Sequence, residues 1–185
     1  MSYTLSNMLP LGTIAPDFNL LDAVSGEMVS LQHIKSDKAT VIVFSCNHCP
    51  YVIHVNDAFV ELAKEYQSKG VAFIVISSND IINYPQDSPD KMKSFAEESG
   101  YTFPYLYDET QDIAKIYDAA CTPDFYVFDG DLKLTYRGQM DNSRPSSGIP
   151  VTGQNLRDAI DHTLKGEAVT GFQRPSGGCN IKWKK

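Results

Sequence analysis

Short apolar runs and amphipathic stretches follow one another along this chain in an order that predicts strands handing over to helices. Pro16 to Leu21, "PDFNLL", alternates apolar and polar positions like a short strand. Ser25-Gly26 marks a turn and "EMVSL" runs back, which predicts an N-terminal hairpin. Thr40 to Phe44, "TVIVF", is a continuous β-branched run of the kind buried on both faces of a sheet. From Tyr51 the apolar positions Val52, Val55, Phe59, Leu62, Ala63 and Tyr66 recur at helical spacing up to Gly70. "VAFIVIS", Val71 to Ser77, is a second buried strand, so Thr40 to Ser77 predicts a right-handed βαβ unit with parallel strands.

Beyond the polar loop "INYPQDSPD", a helix is expected from Pro89 or Asp90 to Glu98, capped by Ser88 and ended by Gly100. "FPYLYD" reads as a short strand and Thr110 to Ala119 as a helix, while "DFYVFDGDLKLTYRG" predicts an antiparallel hairpin turning at Asp129 to Asp131. Asn142 to Gly153 reads as a loop and Gln154 to Leu164 as a last amphipathic helix, and "RPSGGCNIKWKK" as a glycine-containing basic tail. The expectation is one domain over residues 1–171 followed by a C-terminal tail, 172–185.

Length agrees with that: 185 residues suffice for one domain with a core that needs no disulfide staples. Sixteen basic against twenty-three acidic residues leave a net charge of −7, the wrong sign for holding nucleic acid by its phosphates. The start has neither a basic region nor an apolar block of signal-peptide length, and no stretch approaches the ~18 apolar residues of a membrane span. A soluble cytoplasmic protein without nucleic-acid or membrane partners is the expectation.

Four cysteines are too sparse for a disulfide scaffold, yet two of them, Cys46 and Cys49, stand where the first buried strand hands over to its helix. Pro50 favours the first helical position, which makes Cys49 the N-cap residue. There the backbone N–H groups and the positive end of the dipole stabilise a thiolate, the nucleophilic form of cysteine. Cys49 is therefore the expected nucleophile and Cys46 its resolving partner. The reversed order, Cys46 attacking and Cys49 buried in the first turn, is the alternative. His48, when protonated, would stabilise a neighbouring thiolate, and a histidine simply facing solvent is an equal reading.

With these residues in place, the chain resembles the redoxin (AhpC/TSA-type) branch of the thioredoxin-like superfamily, in particular the bacterial peroxiredoxin-like thioredoxin family proteins that carry C-N-H-C-P. The likeness runs through "APDFNLLDAVSGEMVSL", "TVIVFSCNHCPY" and "CTPDFYVFDGDLKLTYRG" in that order. It implies an α/β thioredoxin-like fold: a central mixed sheet flanked by helices, with an N-terminal β-hairpin extension. It also implies a cis peptide bond at Thr122-Pro123, facing the active cysteine and presenting backbone to a substrate disulfide. Cys121, directly before, should then lie near the Cys46/Cys49 turn, as a redox thiol or as a small buried residue. Counted from Phe44, Cys49 falls where thioredoxins place their first cysteine and Val52 where they place the second; Ile42 and Cys46 stand where peroxiredoxins carry proline and threonine.

Three functions follow. The first is a thiol–disulfide oxidoreductase acting on a protein or small-molecule disulfide through Cys49 and Cys46, with an unidentified thiol reductant and no cofactor. The second is a thiol peroxidase in which Cys49 reduces peroxide and Cys46, Cys121 or Cys179 resolves the sulfenic acid, Arg137 or Arg144 assisting. Cys179 enters this scheme as a tail thiol behind Gly177-Gly178, mobile enough to reach a sulfenic acid or a neighbouring chain, and an idle tail thiol is an equal reading. The third is a Cu or Zn module built on Cys46, Cys49 and a histidine. A homodimer stays open because dimers are common in the superfamily.

Overall fold

The computed structural model describes residues 2–185. Ten strands and five α-helices are arranged as β1 (Tyr3–Leu5), β2 (Asn19–Asp22), β3 (Met28–Ser30), α1 (Leu31–Ile34), β4 (Ala39–Phe44), α2 (Pro50–Gln67), β5 (Val71–Ser77), α3 (Pro89–Ser99), β6 (Tyr105–Tyr107), α4 (Asp112–Ile116), β7 (Cys121–Thr122), β8 (Asp124–Asp129), β9 (Leu134–Gly138), α5 (Gln154–Leu164) and β10 (Gly177–Asn180). A seven-stranded sheet runs in the order β3-β2-β6-β5-β4-β8-β9. The β4/β5 and β5/β6 pairs are parallel, and β4/β8, β8/β9, β2/β3 and β2/β6 are antiparallel. The sheet is mixed, as expected, with the predicted hairpin β2–β3 at one edge.

Side-chain alternation along each strand divides the interior into two layers. Val41 and Val43 of β4, Phe73 and Val75 of β5, and Phe125 and Val127 of β8 face α2, α3 and α5. The intervening Ile42, Phe44, Ile74, Ile76, Tyr126 and Phe128 face the opposite layer, with Leu31 of α1 and Ala114 of α4. Both faces of the central strands are covered, which explains why β4 and β5 read as unbroken apolar runs.

The expected α4 is shortened at both ends. Gln111 adopts a left-handed conformation (φ 66°) before the helix, and Asp118 another (φ 52°) after it. The buried Asp108 carboxylate accepts the backbone N–H of Ala114 at 2.9 Å, which replaces an earlier helical turn.

A second, three-stranded sheet in the order β1-β10-β7 is absent from the sequence reading. It corrects the expectation of a mobile tail over 172–185. Strand β10 pairs antiparallel with β1 (Tyr3 opposite Cys179) and with β7 (Cys179 opposite Thr122, Asn180 opposite Cys121). The glycines that suggested mobility serve close approach instead: a Cβ at Gly178 would overlap the Thr122 carbonyl, and one at Gly177 the Tyr3 ring.

Candidate active site

The site is assembled where β4 ends and α2 begins. Val52 and Ile53 donate their backbone N–H groups to the Cys49 carbonyl, each at 3.0 Å, so Cys49 is the N-cap and Pro50 the first helical residue. The turn from Ser45 to Cys49 is pinned from outside the strand. Asn47 donates its backbone N–H to Asp87 Oδ1 (2.8 Å) and its amide to the Gln86 carbonyl (2.8 Å), and accepts the Tyr105 hydroxyl (2.9 Å). Asp87 is fully buried and also accepts the Asn79 amide at 2.8 Å.

His48 lies with Nδ1 2.7 Å from Asp87 Oδ2, an ion-pair distance without hydrogen-bond alignment, and stacks on Tyr84 with ring centroids 5.7 Å apart. It therefore belongs to the Asp87 side of the turn rather than facing solvent. Cys46 Sγ, a His48 ring nitrogen and an Asp87 oxygen lie within 4.8 Å of one another, a different set from the Cys46, Cys49 and histidine considered for a metal. The Asp87 oxygens already accept the Asn47 and Asn79 donors, so a metal there would have to compete with the bonds that shape the turn.

The Thr122-Pro123 peptide is cis, as the resemblance implies, and its loop faces both cysteines. Cys46 Sγ lies 3.5 Å from Thr122 Oγ1, and Cys49 Sγ 3.2 Å from the Thr122 carbonyl oxygen. As a thiol, Cys49 donates to that carbonyl. As a thiolate, it instead accepts from the thiols of Cys46 and Cys179 and from the backbone N–H groups of Val52 and Cys179. These donors, that of Cys46 foremost, outweigh burial and bring the Cys49 pKa down to about 5.

Cys46 is held as the protonated partner: its hydrogen bond to Cys49, its burial and the Asp87 charge push its thiol well above the ordinary range. Burial and its own bond to Cys49 push Cys179 up to about 12. Thiolate character is thus concentrated on one sulfur.

Cys46, Cys49, Val52 and Cys179 pack into one buried cluster, with Tyr51 against it. Cys121 is beside this cluster but not in it. Alternation along β7 turns Thr122 toward the turn and Cys121 toward Ser6 and the Pro123 carbonyl. Burial, followed by the charge of Asp124, holds the Cys121 thiol high, and its hydrogen-bond partners are Ser6 and the Pro123 carbonyl rather than the Cys49 sulfur. Arg137 spends its guanidinium on the Leu9 carbonyl and Gln173 Oε1, both at 2.7 Å. Arg144 spends its own on the carbonyls of Asp141 (2.8 Å) and Ser143 (2.6 Å) and on Gln139 Oε1 (2.7 Å).

Two residues that the sequence reading passed over shape the site. One is Asp87, hidden in a loop that looked merely polar. The other is Asp124, next to Pro123 and fully buried, whose burial raises its pKa to about 7 against the opposing hydrogen bonds of Ser6 and Tyr126.

A mixed sheet flanked by helices, a cysteine at the N-cap after the central strand and a cis-proline loop against it define a thioredoxin-like protein. The chain belongs to the AhpC/TSA family, whose model matches residues 11–137. It is similar to an uncharacterized conserved protein from Geobacillus kaustophilus, with 59% identity, 100% of this chain and 97% of that chain covered, and a TM-score of 0.97. A hypothetical protein from Sinorhizobium meliloti 1021 follows at 43% identity, with 98% of each chain covered and a TM-score of 0.95. The peroxidoxin BcpB from Mycobacterium tuberculosis shares the fold at 22% identity, with 86% of this chain and 98% of that chain covered and a TM-score of 0.64. No curated protein matches.

Proposed function

We propose that the protein is a thiol–disulfide oxidoreductase in which the Cys49 thiolate attacks a substrate disulfide and a neighbouring thiol, Cys46 first, resolves the mixed disulfide. The observation that carries this reading is the asymmetry of the pair. Cys49 sits at a helix N-terminus with its pKa near 5, and Cys46 donates to it while staying protonated. A low-pKa thiolate is both an available nucleophile and a good leaving group, which thiol–disulfide exchange needs in its two directions.

Peroxide reduction is the weaker reading. An arginine to hold the peroxide is expected there, and the bonds of Arg137 and Arg144 commit both guanidinium groups elsewhere. The test is a disulfide-reduction assay under recycling by a dithiol. Cys49→Ser should lose the activity and Cys46→Ser should slow turnover. Full activity in Cys49→Ser would overturn the assignment.

A further inference from the structure

Cys49 has no exposed surface, although the proposed chemistry needs a second sulfur to reach it. What lies over it is part of the same chain. Strand β10 runs antiparallel to β7, with Cys179 directly opposite Thr122, the residue whose carbonyl touches Cys49. Cys179 contributes both its thiol and its backbone N–H to the Cys49 sulfur. The β10 approach is built, not incidental. Gly178 is the residue that lets the strand cross the Thr122 carbonyl without overlap. Ser176 donates its hydroxyl to the Pro123 carbonyl, and Ser6 donates its backbone N–H to the Ser176 carbonyl at 2.9 Å. On the far side β1 pairs with β10, and Tyr3 packs against Tyr51 in the first turn of α2, ring centroids 5.6 Å apart.

We propose that β10 is a built-in occupant of the substrate edge beside Pro123, and that Cys179 is a third redox-active thiol which closes a Cys49–Cys179 disulfide. The proposal rests on Cys49 being the attacking thiol. For an external disulfide to reach Cys49, β10 must lift from β7, exposing the backbone of Cys121 and Thr122 for pairing.

The Cys49 thiolate then attacks one sulfur of R–S–S–R. The Cys49–S–S–R bond forms and RS⁻ leaves. Where β10 re-docks before Cys46 has attacked, Cys179 loses its proton to the departed thiolate and attacks Cys49 Sγ. A second RS⁻ leaves, to be protonated by solvent, and Cys49–Cys179 is oxidised. Two protein thiols become one disulfide and one substrate disulfide becomes two thiols. Cys46 can next attack Cys49 Sγ, which moves the disulfide to Cys46–Cys49 and returns Cys179 as a thiol. The device suits a low-mass disulfide, which requires only local opening, over an extended protein strand that must displace β10 altogether.

The experiment mixes reduced Cys46→Ser protein with oxidised glutathione, quenches with acid and maps disulfides by peptide mass. A Cys49–Cys179 disulfide is the expected product. In the Cys46→Ser/Cys179→Ser double variant the glutathione adduct on Cys49 should persist on the order of a hundredfold longer, since a positioned intramolecular thiol is lost. A lasting Cys49 adduct in Cys46→Ser, with Cys179 still open to alkylation, overturns the proposal while leaving Cys49 as nucleophile. Absence of any Cys49 adduct or disulfide in the wild type overturns both. Gly178→Ala gives an independent reading. It should speed Cys49 alkylation about tenfold or more while Cys121 stays protected, because it weakens the docked strand. An unchanged rate contradicts the covering role.

Discussion

Replacing Cys46 by alanine tests the cause assigned to the acidity of Cys49. That thiol ionises at about 5 in the folded protein, and the Cys46 hydrogen bond is the largest contribution. Against a reference pKa of about 8.5, this raises the thiolate fraction at neutral pH from roughly 3% to about 99%. A hydrogen bond to a charged group is worth about 1.5–3 kcal/mol and one pKa unit about 1.4 kcal/mol, so Cys46→Ala should raise the Cys49 pKa by about 1–2 units. Cys46→Ser keeps a hydroxyl donor and should recover most of the depression. The absolute rate at neutral pH is a poor readout. With a Brønsted slope of about 0.4–0.5, a depression of about 3.5 units lowers nucleophilicity roughly 25- to 55-fold, which offsets the roughly 30-fold gain in thiolate. The pH profile separates the two effects. Iodoacetamide alkylation of Cys49, followed by peptide mass, should show a midpoint near 5 in the wild type and a higher one in Cys46→Ala. A Cys46→Ala midpoint that stays at the wild-type value would refute the hydrogen-bond explanation.

Two buried groups should tilt stability with pH in opposite directions. Asp124 has a folded pKa of about 7 against about 3.9 unfolded, so the folded state holds the extra proton and its contribution to stability falls as pH rises through that window. In urea unfolding Asp124→Asn should lack this fall, and its stability relative to the wild type should improve between about pH 4 and 7 by up to about 1.4 kcal/mol per unit. A constant difference across that window would contradict it. Cys49, depressed to about 5, favours the folded state above about pH 8.5, a contribution lost as pH falls toward 5. Alkylation with a neutral reagent should abolish that slope, and a slope that survives would have another source. Asp87→Ala removes the acceptor of Asn47 and Asn79 from a buried site and should lower unfolding stability by about 1–3 kcal/mol. A fully stable variant would show that the Asp87 bonds do not fix the turn.

Much of this was legible because the signals were local. Strand β4, Pro50 and the periodic apolar face of α2 fix Cys49 as the N-cap within one continuous stretch, and β5 and α5 coincide with their predicted bounds. The cis Thr122-Pro123 bond followed from resemblance rather than from any local pattern. Strands β1, β7 and β10 escaped because each is at most four residues long and their pairing joins Tyr3 to Cys179 across nearly the whole chain. In isolation Gly177-Gly178 signals freedom, and only contact with Tyr3 and Thr122 turns it into a requirement for closeness. Asp87 was hidden for the same reason, since its donors Asn47 and Asn79 come from the ends of two other strands. Cys121 adjoins Thr122 in the sequence, but the two-residue alternation sends its side chain to the other face.

The measurement that decides whether Cys49 is the attacking sulfur compares two proteins, one retaining Cys49 as its sole cysteine and one retaining Cys46, with serine at the other cysteine positions so that a hydroxyl donor stays beside each sulfur. Each is mixed with oxidised glutathione at neutral pH and quenched over time for intact mass. The Cys49 protein should gain one glutathione within the time that the Cys46 protein stays unmodified. Faster modification of the Cys46 protein would reverse the roles of the two thiols and contradict the mechanism proposed here.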